Sequence, residues 1–518
     1  MRSPIYNLVA SLSKRKKISD TDNLLSIDEA VGALAFYYEK IRNVIEYQDE
    51  HLLRQTAIRR IIERRRLVHR EPNELSEWLL KELIRSRYLP NNSIPQSEIG
   101  QVASIISFYF DVEEDLKKNG QASRRDHDII IALASCAIDE HLMPLTSEDA
   151  LVSLMYETVE QLAENSGTRI SSDIRKNQLG IAVYRVLLRP DVMRLRYHLF
   201  RQSAAYWADG SLDAEQAAGE YQRLLPAIDF AIKHPLNRRF LVMLRRYRLP
   251  FVALHAVLKK DRTLAEHPEK LESAIRSFCA SLYATHRRRL RSRAIHAFIY
   301  ILLTKMVLGL ALEIPYDLYI LGEFKRIPFF INALFPPILL AFLALTVRFP
   351  KEKNTERIVK GVREIANPET PREIFVFKSQ AIRKKNNFLS FIFHLLYGIL
   401  FSVSFGLLVW LLASLDFSLV SGVIFFVFFS LIMFFGMSLR RSVQELSIVP
   451  IKVNFIIRFL DQFFVPVLHV GHWLSFNIPR INIFVFLFDI FIEIPFQTLI
   501  DITEEWFAFL KEKKEEIE

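Results

Sequence analysis

The stretch 388–439, FLSFIFHLLYGILFSVSFGLLVWLLASLDFSLVSGVIFFVFFSLIMFFGMSL, holds a single acidic residue, Asp416, and no Lys, Arg or Glu. About 20 consecutive apolar residues cross a hydrocarbon core roughly 30 Å thick. The stretch is long enough for two crossings, Phe388 into Leu415 and Phe417 to Leu439, turning at Asp416. Upstream, Ile327 to Val347 is a second run free of Lys, Arg, Asp and Glu, and Ala294 to Leu312 or beyond is an apolar run that does carry charges. The expectation is four spans in two hairpins, 294–347 and 388–439, joined by the segment 348–387.

Composition points the same way. Of 518 residues, 51% are hydrophobic and 41 are Phe, and the mean hydropathy is +0.15, too apolar for a soluble chain of this length. With 15 glycines there is little material for glycine-built nucleotide loops, and neither GxGxxG nor GxxxxGK[ST] occurs. Cys136 and Cys279 are too far apart for a disulfide framework or a CxxC knuckle, which fits a reducing compartment. No cofactor and no metal are implied.

Arg293 divides two chemistries: 33 of the 41 Phe follow it, while 46 of the 68 Lys and Arg lie at or before it. Residues 1–293 carry 46 basic and 38 acidic groups, net +8, against 22 and 20, net +2, beyond. This first half reads as an irregular all-α domain with a subdivision near Gly167, since breaks at Pro90 to Ser93, Asn119-Gly120 and Asn165 to Gly167 punctuate helix-period runs. On a helix expected over about 40–70, Ile58, Ile61 and Ile62 form an apolar stripe flanked by Arg59, Arg60, Arg64, Arg65 and Arg66. A mild excess of +8 with interleaved acids disfavours nucleic acid as the partner. At the N-terminus the apolar Leu8-Val9-Ala10 precedes Lys14-Arg15-Lys16-Lys17, the reverse of signal-peptide order, so no cleaved segment is expected.

Orientation follows from Lys and Arg beside the spans, which favour the cytoplasmic side. Five arginines from Arg287 to Arg293 precede the first span, eleven basic residues lie within 348–385, and Arg440-Arg441 close the fourth span, whereas 322–326 and the turn at Asp416 are short. The basic domain, the 348–387 loop and the C-terminus are therefore expected in the cytoplasm under a cell (inner or plasma) membrane, with anionic headgroups near Arg287–Arg293 and Arg383–Lys385.

Within the spans, Lys305, Glu313 and Asp317 are candidates for an ion or proton path, together with His394 in the third span and a helix break at Pro336-Pro337. Lys305 and Glu313 are eight positions apart, about 80° around and 12 Å along an α-helix, and so cannot pair directly. Gly398, Ser402 and Gly406 form a small-residue row, with Ser418 and Gly422 as the facing set, the pattern of a close helix contact. A homo-oligomer is compatible with the four-span reading.

Beyond Leu439, residues 440–518 read as interfacial helices and a charged tail, with Asp489, Glu493, Asp501 and Glu505 forming an acidic stripe suited to protein cations. His469 and His472 are three apart, without a third ligand within a turn. In the soluble half, His127-Asp128 superficially resembles the HD class of metal-dependent phosphohydrolases, a similarity of one dipeptide, with Asp139-Glu140-His141 some eleven to fourteen residues on. Three functional classes are carried forward: a non-enzymatic scaffold or assembly factor whose cytoplasmic domain recruits a protein partner, an ion- or proton-coupled channel or transporter component, and a membrane-tethered phosphohydrolase-like enzyme.

Overall fold

The computed structural model describes residues 3–13, 23–27, 50–66, 71–120, 123–160, 171–367, 373–375, 387–449 and 462–477. Among them the chain is all-α, with an isolated bridge between Leu24 and Pro95 and no strand ladder. Contacts divide the described residues into two compact units, one up to Leu244 and one from Arg245. The chemistry changes at Arg293, but a helix, Pro268–Leu308, runs straight through that position, so residues 245–293 pack with the unit that carries the apolar helices. The subdivision expected near Gly167 lies outside the described residues.

The first unit contains α1 (Ser3–Ser13), α2 (Glu50–Arg65), α3 (Pro72–Arg85), α4 (Glu98–Lys118), α5 (Arg124–Leu142), α6 (Thr146–Val159), α7 (Ser172–Leu188), α8 (Val192–Ser203), the short α9 (Tyr206–Asp209), α10 (Ala214–Lys233) and α11 (Pro235–Leu244). A reciprocal cap starts α5: the Ser123 hydroxyl accepts from the Asp126 N–H at 3.3 Å, and the Asp126 carboxylate accepts from the Ser123 N–H at 3.0 Å. From Ile129 to Asp139 every residue of α5 is buried, which is why this helix is apolar on all faces rather than one. It is flanked by α2, α4 and α8. Near it, Trp207 is fully buried, with Phe200 and Phe108 edge-on at 4.8 and 5.8 Å, and its carbonyl accepts from the Tyr109 hydroxyl at 2.5 Å.

The second unit contains α12 (Arg248–Lys260), α13 (Pro268–Leu308), α14 (Arg326–Leu345), α15 (Glu352–Ala366), α16 (Asn387–Ser414), α17 (Leu419–Gln444) and α18 (Val465–Asn477). Two π-helical turns, Gly309–Glu313 and Asp317–Leu321, extend α13 to Leu321 on either side of Pro315. Widening the turn lets the helix pass a residue that has no N–H and crowds the preceding carbonyl. Four helices are long and apolar enough to cross a membrane: Pro268–Leu321, Arg326–Leu345, Phe391–Ser414 and Leu419–Gln444. Lys325, in the turn after the first, is ion-paired with Asp416, in the turn after the third, at 2.7 Å. Both short turns therefore sit at one end of the helix set.

Three expectations are corrected here. Pro336 and Pro337 do not break the second span: α14 is continuous from Arg326 to Leu345 with both rings buried. Prolines are tolerated in apolar helices when neighbouring helices shield the freed carbonyls, here those of Asn332 and Ala333. The small-residue row does not make the close contact: Gly398, Ser402 and Gly406 face outward, and added Cβ atoms at Gly398, Gly406 and Gly422 would meet nothing within 4 Å. The face that α16 buries is instead Ser404, Leu408 and Leu412, with the Ser404 hydroxyl donating to the Phe463 carbonyl at 2.7 Å. Close approaches occur at Gly309 against Phe329, Gly436 against Leu343, and Gly471 against the Ser430 backbone.

The third correction concerns residues 465–477, expected in the interface plane. Val467 is fully buried and Leu468 is 7% exposed, in one cluster with Leu340, Phe425, Phe429 and Ile432. Gly471 meets Ser430, close to the middle of the 26-residue α17, so α18 packs at the depth of that helix's centre. Apolar neighbours rather than a polar stripe decide the placement.

At the other end of these helices, α12, α15 and the first half of α13 pack together. Buried Asn354 ties this layer to the end of α17: its Nδ2 lies 2.7 Å from the Tyr283 hydroxyl and donates to the Leu446 carbonyl at 2.9 Å, while its Oδ1 accepts from the Ile448 N–H at 2.8 Å. Glu364 accepts backbone N–H groups from Glu373, Ile374 and Phe375 at 2.9 to 3.2 Å.

Candidate intramembrane polar site

Lys305, Glu313 and Asp317 are each 2% exposed, so the first span buries all three of its ionisable candidates. A charge in such surroundings requires a partner. Asn332 of α14 supplies it for two of them: its Oδ1 accepts from Lys305 Nζ, and its Nδ2 donates to Glu313 Oε1 and, at 3.1 Å, to the Ser421 carbonyl of α17. Lys305 also lies over the Phe428 ring, 4.6 Å from its centroid, a cation–π contact. One neutral amide thus bridges two charges that a straight helix holds about 12 Å apart. It joins α13, α14 and α17.

Asp317 behaves differently. It opens the second π-turn, and its Oδ1 has no hydrogen-bond partner among the described residues. His394 faces outward on α16 and takes no part in the bonds of the Lys305 set. Ser418 caps α17, its hydroxyl accepting from the Ser421 N–H at 3.3 Å. Asp489, Glu493, Asp501, Glu505 and Arg383–Lys385 lie outside the described residues. Arg287, Arg288, Arg289, Arg291 and Arg293 are exposed, with Arg287 over the Phe349 ring at 5.1 Å.

The candidates of the first unit are engaged in pairs between helices. His127 Nδ1 is 2.9 Å from Glu113 Oε1, Asp128 is 3.4 Å from Arg59, Asp139 bonds Arg54 and Arg194, Glu140 bonds Arg201, and His141 Nε2 is 2.6 Å from Glu98. His127 and His141 are held by different carboxylates, about 21 Å apart along α5, and do not converge. Among the described residues no group of three His, Cys, Asp or Glu could hold a metal. The basic flank of α2 is neutralised in the same way: Arg64 and Arg65 pair with Glu82 and Arg66 with Glu113, while Arg65 and Arg66 cover Trp78 and Phe110.

These pairings set the local protonation. Burial pushes the Glu113 carboxyl up, but hydrogen bonds from Lys117, Arg66 and His127 outweigh it and hold it at about 2. Burial, with the charge of Arg194 nearby, holds His198 down at about 4, where the neutral ring stacks on Tyr184 at 3.6 Å. Burial also pushes the Cys136 thiol well up, leaving it a core residue.

Asn332, Ser421, Phe428 and Asn354 were not singled out by charge or motif. Asn332 left one signal, as the sole side-chain amide between Arg326 and Leu345. Comparison with family models, with curated proteins and with solved structures finds no match.

Proposed function

We propose that this chain is a multi-pass membrane scaffold or assembly factor, with its first helical unit and its termini in the cytoplasm and that unit recruiting a protein partner. One observation carries the reading: Lys305, Glu313 and Asp139, buried groups that could do chemistry, serve as ties between helices. Asn332 closes the Lys305–Glu313 pair, and Asp139 joins Arg54 to Arg194. Groups tied in this way give a rigid platform, which suits holding a partner in place. The bridge counts against conduction through Lys305 and Glu313, because each charge already has its partner. The paired His127, Asp128 and His141 count against a phosphohydrolase centre.

The cytoplasmic assignment is supported by the exposed arginines from Arg287 to Arg293, which suit anionic headgroups, and by the pairing of the opposite turns through Lys325 and Asp416. The test is cross-linking in the native membrane followed by mass spectrometry. The reading expects reproducible cross-links from residues 50–244 to one partner protein. Purified protein that catalyses ion flux in vesicles, with no captured partner, would reverse it.

A further inference from the structure

The bridge through Asn332 accounts for Lys305 and Glu313 and leaves Asp317. Its carboxylate is 2% exposed, and Oδ1 has no donor among the described residues. Asp317 lies four positions after Glu313, so the two carboxylates are neighbours on one helix face, about 6 Å apart at Cβ. Glu313 closes one π-turn and Asp317 opens the next, a distortion that recurs at functional positions in helices. Between them Pro315 lacks an N–H, so a carbonyl one turn earlier loses its helical donor.

Charge sharpens the case. Lys305 balances Glu313 through Asn332, and Phe428 and the Ser421 carbonyl complete that set without adding charge. In the adjoining turn Lys325 is ion-paired with Asp416 and also attracted to Asp317, Arg326 is exposed, and Glu323 is exposed and of the same sign as Asp317. Asp317 Oδ1 thus lies buried without a hydrogen-bond donor among the described residues, and the lysine nearest in charge is already paired at the chain reversal.

We propose that Glu313 and Asp317 form a binding site for one small monovalent cation, an alkali-metal ion or a proton, at the end of the first span beside the turn 322–326. The backbone carbonyl of Asp317 accepts from the Glu323 N–H at 3.2 Å, which places the site one turn from the chain reversal and gives access from that side. This goes beyond the scaffold reading and stands independently of it: the membrane unit would sense a cation on the face opposite the arginines.

The test uses full-length protein in detergent and follows thermal unfolding at constant ionic strength. One arm replaces choline chloride by sodium or potassium chloride at fixed pH; the other lowers pH from 8 to 5 in choline chloride. The site predicts that the midpoint of the wild type rises by several degrees in one arm, that Asp317→Asn removes the rise, and that Glu356→Gln, an exposed carboxylate on α15, keeps it. A response to sodium or potassium identifies an alkali ion, and a response to pH alone identifies a proton. Equal behaviour of wild type and Asp317→Asn in both arms would overturn the proposal. Should Asp317→Asn fail to fold, the wild type is treated with dicyclohexylcarbodiimide and mapped by mass spectrometry. Modification at Asp317 or Glu313 that sodium, potassium or raised pH suppresses supports the site, and modification at neither residue under any condition overturns it.

Discussion

Lys305 and Glu313, eight residues apart on one helix, share the amide of Asn332, which accepts from the lysine and donates to the glutamate. The arrangement solves a specific problem. The two charges cannot reach each other along their own helix, yet neither can be left alone in an apolar span. A side-chain amide offers one acceptor and two donors at fixed geometry, so a residue on the second span can serve both charges and still reach the Ser421 carbonyl on the fourth.

Asn332→Leu keeps the volume and removes every bond of the bridge. It should lower stability in detergent by about 3–5 kcal/mol, the range for breaking a buried charge arrangement by deleting one partner, read as the midpoint of thermal unfolding. An unchanged midpoint would mean that the two charges are hydrated.

Glycine substitutions separate the contacts that form from the row that looked as if it should. Gly471→Ala places a Cβ against the Ser430 carbonyl, and Gly436→Ala places one 2.6 Å from Leu343 Cδ1. Each should cost about 1–3 kcal/mol as overpacking. Gly398→Ala and Gly406→Ala, with open space around the added methyl, should leave the midpoint within experimental scatter.

The contrast shows which parts of the fold can be read from residue order. The four spans were legible because length and apolarity alone decide them, as in 388–439. The side-chain contacts were not. Glycine spacing in the third span suggested a helix interface, but which face of an apolar helix meets protein is decided by its neighbours, and here Ser404, Leu408 and Leu412 were chosen. Asn332 carries no charge and matches no motif, so its role appears only when Lys305 and Glu313 are placed on either side of it. Pro336 and Pro337 read as a break, yet packing on both rings carries the helix through.

His198 gives the first unit a defined acid response. Its folded-state value, about 4, lies below the ordinary histidine value of roughly 6.5 expected when unfolded. The stability it contributes is therefore present above about pH 6.5 and is lost as pH falls towards 4, by at most about 3 kcal/mol. His198→Phe, which keeps the stack on Tyr184, should flatten the pH dependence of unfolding across that window relative to the wild type. Identical slopes would place the imidazole in water.

The Lys325–Asp416 pair predicts a chemical cross-link and a sidedness. Lys325→Cys combined with Asp416→Cys should be joined by a short bis-maleimide, since the long lysine side chain holds the two backbones further apart than a disulfide spans. Single cysteines at 324 and 416 should label from the side opposite to cysteines at 289 and 356. Labelling of 324 and 356 from the same side would exclude the four-span arrangement.

The central claim is that the buried charges hold the spans together, and a double-mutant cycle on Lys305 and Glu313 tests it most directly. Lys305→Met and Glu313→Gln each strand a partner, and each should lower the unfolding free energy by about 3 kcal/mol or more. In the double variant neither Lys305 nor Glu313 is left without the other, so the loss should fall short of the sum by about 1–3 kcal/mol, the range of coupling between residues of one network. Losses that simply add would show that the two groups do not act as one clamp and would contradict the account.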